Sequence, residues 1–489
     1  MTVNRKIKLA ALIGLPLVLA GCATNAEYSA RDAGFTTVDA KVATAATKRS
    51  VWVQNREQAE KVNAEVKTLL KRKTIDADTA VQIALINNKG LQAAYADLGD
   101  ASADAWQATL FPNPSVSIGT TGIGTPELQA YRAIEGLVTT NILALLTRDK
   151  TIAIADARFR QAQLAAALST LTLAAETRRA WIEAVASWET VAQLSRAQIA
   201  ADASSELASK LGETGAIGKG TQAREHVFNA ELAGQAAEAR LAARLAKENL
   251  TRLMGLWGAD VDYQVPNRLP DLPKTLARKE SIEAEALKRR VDLQIARLDL
   301  EAVAKSYKLT EATRLVTDLG LVAGAEAERE KEDHGTKVET TGQFELDFVI
   351  PIFDSGNARM RKAELAHMRS ANLLAEKAVN IRSEARSAYE AYRSRYEIAR
   401  HYRNSVMPLR TKIQEEATLS YNGMITSTFE LLADIRAKVD SSVLSVNAKR
   451  DFWLADADLV TAINGGGSGG GSGAAAAAPA AAEAGGAGH

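Results

Sequence analysis

The sequence has few of the residues that build metal sites, disulfide frameworks and aromatic cores. Its 489 residues include 1 Cys, 5 His and only 5% aromatic residues. So little Cys and His leaves no material for a dedicated metal site or a disulfide framework. Lys and Arg (60) balance Asp and Glu (59), for a net charge of +1. Without a long-range positive field to hold a polyanion, nucleic acid is not expected as a partner.

Catalytic motifs are missing as well. The scattered histidines His226, His334, His367 and His401 show no His-Glu-x-x-His spacing, and the chain has no Gly-x-Ser-x-Gly motif. Surface or helix-packing histidines are the better interpretation. We therefore predict that the chain is not an enzyme, that it has no catalytic residues and that it binds no metal or other cofactor.

Alanine and length point to long helices. A chain of 489 residues exceeds one ordinary compact core, which leaves two domains or an elongated architecture. Apolar residues make up 46%, yet aromatics are scarce and alanine is abundant. Alanine has the highest helix propensity and lets helices approach closely. The composition therefore favours long packed helices over a globular enzyme.

The amino terminus has the organisation of a bacterial export signal. Three basic residues precede the apolar run Leu9–Leu19, which is too short to span a bilayer. Leu19-Ala-Gly-Cys22 resembles a lipobox, so we predict a signal peptide over 1–21 and a lipidated segment over 22–74. Cys22 would carry a diacylglycerol and an amide-linked acyl chain, and Ala23 after it indicates the outer membrane. A plain signal peptide with a chance cysteine is the alternative.

The remaining chain has no apolar run of 18 residues, so we predict no transmembrane helix after the leader. Residues 464–489 are almost entirely Gly, Ser and Ala. Such a segment cannot bury enough apolar surface to fold, and we predict a disordered tail, either native or artificially added.

An internal repeat organises the middle of the chain. Ala84-Leu85 and Leu91-Gln92 match Ala286-Leu287 and Leu293-Gln294 at one constant spacing. Later motifs match at a second spacing, and a chance match of Ala-rich heptads is the alternative. We predict two repeats, 75–268 and 279–463, joined by a proline-rich linker, 269–278.

Each repeat is predicted to contain a helix, two strands and a long helical hairpin. The first repeat is expected to contain a helix over Asp78–Phe111, strands over Pro112–Gly119 and Gly136–Leu143, and helices over Arg148–Leu211 and Thr221–Leu256. The second is expected to contain a helix over Lys279–Arg314, strands over Leu315–Gly320 and Thr341–Pro351, and helices over Gly356–Tyr421 and Ser427–Ile463. Polar segments, Thr120–Thr125 and Gly324–Gly335, are predicted as the loops between the strands, and the charge run Glu326–Asp333 as solvated loop.

The last predicted strand has two chemically different faces. Phe344, Leu346 and Phe348 alternate with polar or acidic residues. This alternation is typical of a strand with lipid on one side and water on the other, and equally of a half-buried strand in a soluble sheet.

Several motifs, taken in order, carry a family resemblance. They are the lipobox ending at Cys22, Asp78–Asn88 with Leu91, Phe111-Pro-Asn-Pro114, Leu269-Pro-Asp-Leu-Pro273, Ala286–Leu293, Ile350-Pro-Ile-Phe-Asp-Ser-Gly356 and Tyr421–Leu432. The chain from about Ile75 to Ile463 resembles the TolC-type outer-membrane efflux channels, in their lipidated branch. Two departures stand out: Val291 occupies a position where the family usually has proline, and the segment after Thr120 lacks the usual second-strand motif.

The resemblance implies a mainly α fold with transmembrane β structure. Long antiparallel helical hairpins would form a periplasmic tunnel, and four strands per chain would join a shared barrel in a homotrimer. The implied function is passive export of drugs, metal ions or other small molecules. Substrates would be delivered by an inner-membrane pump through a periplasmic adaptor, the membrane fusion protein. The implied location is the outer membrane, with a lipid anchor and a periplasmic extension.

Family geometry places the helix turns at the periplasmic tip, where an adaptor docks. The resemblance therefore assigns Gly215, Ile217, Gly423 and Ile425 to docking turns. Glu430 and Asp434, one helical turn apart, are candidates for an acidic ring in a trimer that attracts cations. Ordinary solvated acids on a helix are the alternative.

Two other classes of protein remain open: an adaptor lipoprotein with one helical hairpin, and a structural helical lipoprotein without a pore. The duplication argues against the first, and the alternating strands argue against the second. The sequence does not distinguish metal efflux from export of drugs or peptides.

Overall fold

The computed structural model describes residues 28–71, 74–124, 132–276, 281–332, 335–423 and 428–466. Cys22 and the predicted signal peptide, Ile425, Asp333 and the tail from 467 lie outside the described residues. Within these ranges, none of the helices is both long and apolar enough to traverse a bilayer.

The described chain is mainly helical, with one sheet. The helices are α1 Phe35–Ala46, α2 Arg56–Leu70, α3 Ala77–Asn87, α4 Lys89–Thr109, α5 Ile142–Glu213, α6 Lys219–Met254, α7 Ile282–Arg289, α8 Val291–Ala312, α9 Asn357–His401, α10 Met407–Asn422 and α11 Thr428–Asn464. The strands are β1 Ser115–Thr121, β2 Ala133–Asn141, β3 Leu319–Glu332 and β4 Gly335–Phe348. A short 3₁₀ helix occupies Gly258–Val261, and a π-helical segment occupies Tyr402–Val406. The order of helix, strand pair and helical hairpin follows the prediction in both halves of the sequence.

The chain forms two compact units, and each takes residues from both predicted repeats. Of the described residues, the first unit holds 28–67, 85–169 and 281–387, which include the sheet. The second holds 68–71 and 74–84, 170–276 and 388–466, which include both long-helix turns. Duplication itself stays a prediction from the sequence.

The sheet is antiparallel throughout, in the order β1-β2-β3-β4. The prediction of a loop over Gly324–Gly335 and of loop structure for the charge run was wrong, because β3 continues to Glu332 and pairs with β4 along its whole length. β3 also begins later than predicted, at Leu319 rather than Leu315. Glu326, Glu328 and Glu330 alternate along β3 and so share one face of the strand, while the residues between them lie on the other face.

Helix boundaries differ from the predictions where a side chain caps the backbone. Asn141 Oδ1 accepts a 2.8 Å hydrogen bond from the amide of Ala144, so the long helix α5 begins at Ile142, ahead of the predicted Arg148. Asn88 caps α4 in the same way, through a 3.0 Å bond from the amide of Leu91. This cap divides the predicted helix Asp78–Phe111 into α3 and α4.

The long helix of the second half is also interrupted. The π-helical turn Tyr402–Val406 separates α9 from α10, directly before Pro408 in the first turn of α10. Proline lacks an amide donor and its ring clashes with the preceding turn, so a widened turn relieves the conflict. The predicted continuous helix Gly356–Tyr421 is therefore two helices.

Each unit has its own apolar core. In the first unit, Phe35 packs edge-on against the buried Tyr95, with ring centroids 4.8 Å apart. In the second, Phe452 is fully buried between Tyr392 and Tyr396. Aromatic clusters of this kind supply much of the apolar burial that the many alanines cannot.

Candidate functional site

The strand register places most of the large apolar side chains of the sheet on one face. Directly paired residues share a face, and the pairings link all four strands. The large apolar residues of this face are Val116, Ile118, Ile134, Val138, Leu319, Leu321, Val338, Phe344, Leu346 and Phe348, and Arg329 lies on the same face opposite Val338. In the single chain they are open to solvent: Ile118 is 78% exposed and Phe344 is 74% exposed. An apolar sheet face of this extent needs a lipid or protein covering in the working protein.

The opposite face of the sheet is mainly polar and acidic, although Leu137 and Val322 also lie on it. Its residues include Ser115, Ser117, Glu135, Thr139, Glu326, Glu328, Glu339, Gln343, Glu345 and Asp347. Glu135 lies directly opposite Glu326, and Glu328 lies opposite Glu339. Like charges on directly paired strand residues repel one another, so the excess of carboxylates does not stabilise the sheet.

Two contacts partly offset that repulsion. Arg132 forms an ion pair with Glu328 at 2.9 Å, and Gln343 Nε2 donates to Glu135 Oε1 at 2.5 Å. Both pairs are exposed, so they contribute little to stability. The face keeps a net negative charge and a hydrated surface.

Exposed aromatic and aliphatic residues mark the junction between sheet and helices. Phe353 is fully exposed, and Phe111 is about half exposed. Arg148 stacks over the Phe111 ring at 4.6 Å and donates to the carbonyl of Thr109. The junction thus presents exposed apolar side chains, with Arg148 stacked on one of them.

Gly356 closes the second junction and cannot be replaced freely. Its φ is +75°, and a Cβ there would lie 2.7 Å from the carbonyl oxygen of Arg314. Arg314 in turn donates to the carbonyl of Ser355 and to Asn357 Oδ1. Glycine at this point of the Ile350–Gly356 motif is required both by conformation and by space.

The turn between α5 and α6 contains two of the predicted docking residues. Gly215 has φ +72°, in the left-handed region. The amides of Ala216 and Ile217 both donate to the carbonyl of Leu211, at 2.9 and 3.4 Å, which closes the end of α5. Ile217 is half-buried at this turn. Gly215 therefore occupies a backbone conformation that favours glycine.

The turn after α10 is built differently. Gly423 has φ −79°, a conformation open to any residue, and its amide donates to the carbonyl of Leu419 at 2.9 Å. The backbone at Gly423 therefore does not itself require glycine. Its partner in the prediction, Ile425, lies outside the described residues.

Glu430 and Asp434 share a groove between α10 and α11. The groove has a volume of about 590 Å³, and Leu409, Ile413 and Ala417 of α10 form its apolar wall. Glu416 adds a third carboxylate and Lys412 a single cation. The structure thus brings the two predicted acids together, on a groove whose apolar wall the sequence did not reveal.

A buried ion pair holds the linker between the predicted repeats. Glu189 Oε2 accepts from the amide of Leu269 at 2.8 Å, and Lys449 Nζ donates to the carbonyl of the same residue at 2.7 Å. The two charged groups are 3.6 Å apart. Burial lowers the pKa of Lys449, and nearby Arg268 adds to that effect. Sequence motifs gave no signal for this clamp.

Arg290 organises the break between α7 and α8. It donates to both carboxylate oxygens of Asp292, at 3.0 and 2.9 Å, and to Glu384 of α9. Burial by itself would raise the pKa of Asp292, but the hydrogen bonds and charge of Arg290, aided by Lys377, keep it below the usual range. Val291, the departure from the family's proline, begins α8 directly after this arginine.

No metal cluster accompanies these features in the part of the chain that the structure describes. No protein-family model matches the sequence, and no curated protein matches it either. Solved structures do match. VceC, an outer membrane protein of Vibrio cholerae, is 16% identical with a TM-score of 0.67, over 81% of this chain and 98% of its own. The chain has the fold of the TolC-type outer-membrane channels.

Two further matches agree with this fold. The CmeC outer membrane channel of Campylobacter jejuni is 18% identical, with a TM-score of 0.65 over 82% of this chain and 88% of its own. A membrane protein of Pseudomonas aeruginosa is 15% identical, with a TM-score of 0.67 over 80% of this chain and 94% of its own. The match between this TolC-type fold and proteins described as channels agrees with the prediction of a protein that is not an enzyme.

Proposed function

We propose that the chain is the outer-membrane channel of a tripartite efflux system, passively exporting small molecules that a pump and an adaptor deliver. The observation that carries the proposal is the two-faced sheet: one face apolar and exposed, the other acidic and hydrated. Such a sheet is suited to separate lipid from an aqueous lumen. The likeness of fold to proteins described as outer membrane channels supports it.

The two outer strands favour assembly. Within the described chain, β1 pairs only with β2, and β4 only with β3, so each presents one unpaired edge. Backbone groups in a bilayer must be hydrogen-bonded, which requires other strands at both edges. Three copies would supply about twelve strands and close the sheet, within the range of outer-membrane barrels. The exposed rim at Phe111 and Phe353 suits the lipid–water boundary, where aromatic residues concentrate.

The partners of this proposal are those that the family resemblance implies. A homotrimer would place three copies of each helix turn at one end, where an adaptor would contact Gly215, Ile217, Gly423 and Ile425. An inner-membrane pump would supply the energy. Cys22, with its diacylglycerol and amide-linked acyl chain, would add an anchor in outer-membrane lipid, since each buried CH₂ contributes about 0.8 kcal/mol.

Cation preference is the selectivity that the charges support. The acidic face of the sheet and the Glu430–Asp434 groove both carry more carboxylates than cations. Carboxylates along a pore raise the local concentration of cations and repel anions.

The proposal is tested by single-channel recording of the purified lipidated protein in planar bilayers, with mass measurement of the oligomer. We expect a trimer with discrete, cation-selective openings. A monomer without conductance would contradict the proposal and favour an adaptor or a structural helical lipoprotein. If a trimer is silent, the recording is repeated with adaptor added, and continued silence would also count against a channel.

A further inference from the structure

A buried acid lies where three helices of the second unit meet. Glu225 of α6 is only 1% exposed. Ser204 of α5 donates to its Oε2 at 3.1 Å, while its Oε1 is buried and has no hydrogen-bond partner. A carboxylate with half of its acceptors unsatisfied is costly to bury, whereas the protonated acid is much less so.

The third helix at this point is α11. Arg436 of α11 stacks on the ring of Phe228, and its guanidinium carbon lies 4.4 Å from the ring centroid. Phe228 is on α6, one helical turn after Glu225. Arg436 Nε is itself buried without a hydrogen-bond partner, so it does not bond the free oxygen of Glu225. Ile435, Val439 and Val443 of α11 pack against the same cluster of α5 and α6.

The other ionisable groups around Glu225 are few. His226, its neighbour on α6, contacts Ser205 Oγ through Nδ1 at 2.7 Å. On α5, Asp202 accepts from Gln198, and Glu206 is exposed and pairs with Lys210. Arg436 is the charged group that α11 contributes. Glu225 therefore has weak electrostatic compensation for the negative charge that it would carry when ionised.

We propose that Glu225 is a proton-responsive latch, whose neutral carboxyl favours packing of α11 on α5 and α6 and whose ionised form weakens it. Movement of α11 away from α6 would hydrate the carboxylate and release it from the buried position. Because Glu430 and Asp434 lie on α11 within two turns of Arg436, the latch controls the position of the acidic groove.

The direction of the pH response follows from the environment of the acid. Burial raises the pKa of Glu225 above its ordinary value of 4.5, and the Ser204 hydrogen bond with the Arg436 and His226 charges offset this only in part. A folded-state pKa above the solvent-exposed value means that the docked arrangement binds the proton more tightly. The stabilisation of packed α11 by the neutral carboxyl is complete at a pH below the ordinary pKa of the acid. It is lost as the pH rises through the raised pKa.

The test is a distance measurement by pulsed electron paramagnetic resonance on the full chain. Spin labels are placed at the exposed positions Ala223→Cys on α6 and Asp440→Cys on α11, and the chain carrying only Cys22 gives the labelling background. Double-labelled chains are diluted into unlabelled chains, so that distances within one chain dominate. Spectra are compared between about pH 5 and about pH 8.

We expect a longer-distance population that grows as the pH rises, and its loss at every pH in Glu225→Gln. Glu231→Gln, an exposed acid on the same helix, is the matched control and should keep the response. Ser204→Ala should shift the midpoint to higher pH, because it removes a bond that stabilises the carboxylate. A distance independent of pH in the wild-type chain, or an unaltered response in Glu225→Gln, would overturn the latch. The measurement needs no ion conduction, so failure of the channel proposal would be seen separately.

Discussion

At the scale of single residues, neighbouring positions on a strand have opposite environments. Leu346 and Glu345 are consecutive, yet the first belongs to the apolar face and the second to the acidic face. If the sheet spans a membrane as proposed, an arginine at position 346 would have to enter lipid, while one at position 345 would face water.

Leu346→Arg is therefore expected to destabilise the membrane-inserted form by about 2–4 kcal/mol, and Glu345→Arg by much less. Urea titration of protein folded into lipid vesicles measures both. Equal effects from the two substitutions would contradict the assignment of the faces.

The two turn glycines should also respond differently to substitution. Gly215→Ala places a Cβ at φ +72° and should cost about 1 kcal/mol, whereas Gly423→Ala at φ −79° should be close to neutral. Thermal unfolding of both variants compares the two positions. A larger loss at Gly423 would mean that its turn has another conformation in the working protein.

At the scale of elements, the break between α7 and α8 is held by side chains. Arg290 has φ −58° and ψ 119°, which is the conformation that a residue before proline adopts, and Val291 is the first residue of α8. Proline is well tolerated at this position of a helix.

Val291→Pro should therefore raise the free energy of unfolding by about 0.4–1 kcal/mol, by restricting the unfolded chain. Denaturant unfolding is the measurement, and Val303→Pro, in the interior of α8, is the control that should be strongly destabilising. Loss of stability in Val291→Pro would show that the valine amide or side chain has a role that proline cannot fill.

The clamp on the linker depends on a pair of buried charges. Lys449→Met leaves Glu189 without its cation and the carbonyl of Leu269 without its donor. We expect a loss of about 3–5 kcal/mol, as for other broken buried pairs. Both variants are measured by denaturant titration, with Lys219→Met, at an exposed lysine, as the control. If the two variants lose similar, small amounts of unfolding free energy, the clamp does not stabilise the protein.

The elements that the sequence predicted best are those whose signals are local. Proline at 112 and 114, alternation in β4 and helix-forming residues in α5 gave the correct order of elements. The charge run Glu326–Asp333 was wrongly predicted as a loop, because pairing of β3 with β4, a tertiary interaction, overrides the local preference of this segment.

Long-range contacts explain the rest. The Lys449–Leu269 bond joins residues 180 positions apart, and no local pattern encodes such a partner. At the candidate site, the one-turn spacing of Glu430 and Asp434 was enough to place them together. The apolar wall from α10 and the buried Glu225 required the packed structure to be seen.

At the scale of the whole molecule, the acids Glu430 and Asp434 provide a test of the proposed channel. If three copies enclose a lumen, removal of Glu430 and Asp434 should reduce its preference for cations. The double variant Glu430→Ala with Asp434→Ala is compared with Asp440→Ala, an exposed acid of the same helix. Reversal potentials under a salt gradient in planar bilayers measure the effect, and unchanged selectivity would remove both residues from the pathway.

The linker has a consequence for any shortened form of the chain. Its backbone oxygens accept hydrogen bonds from Lys449, Trp453 and Tyr396, and its Leu269 amide donates to Glu189. A nonsense mutation soon after the linker would produce a half-length polypeptide with a buried carboxylate and no lysine to neutralise it. A half-length polypeptide would therefore lack the side chains that hold its own carboxyl end, and we expect it to be unstable in isolation.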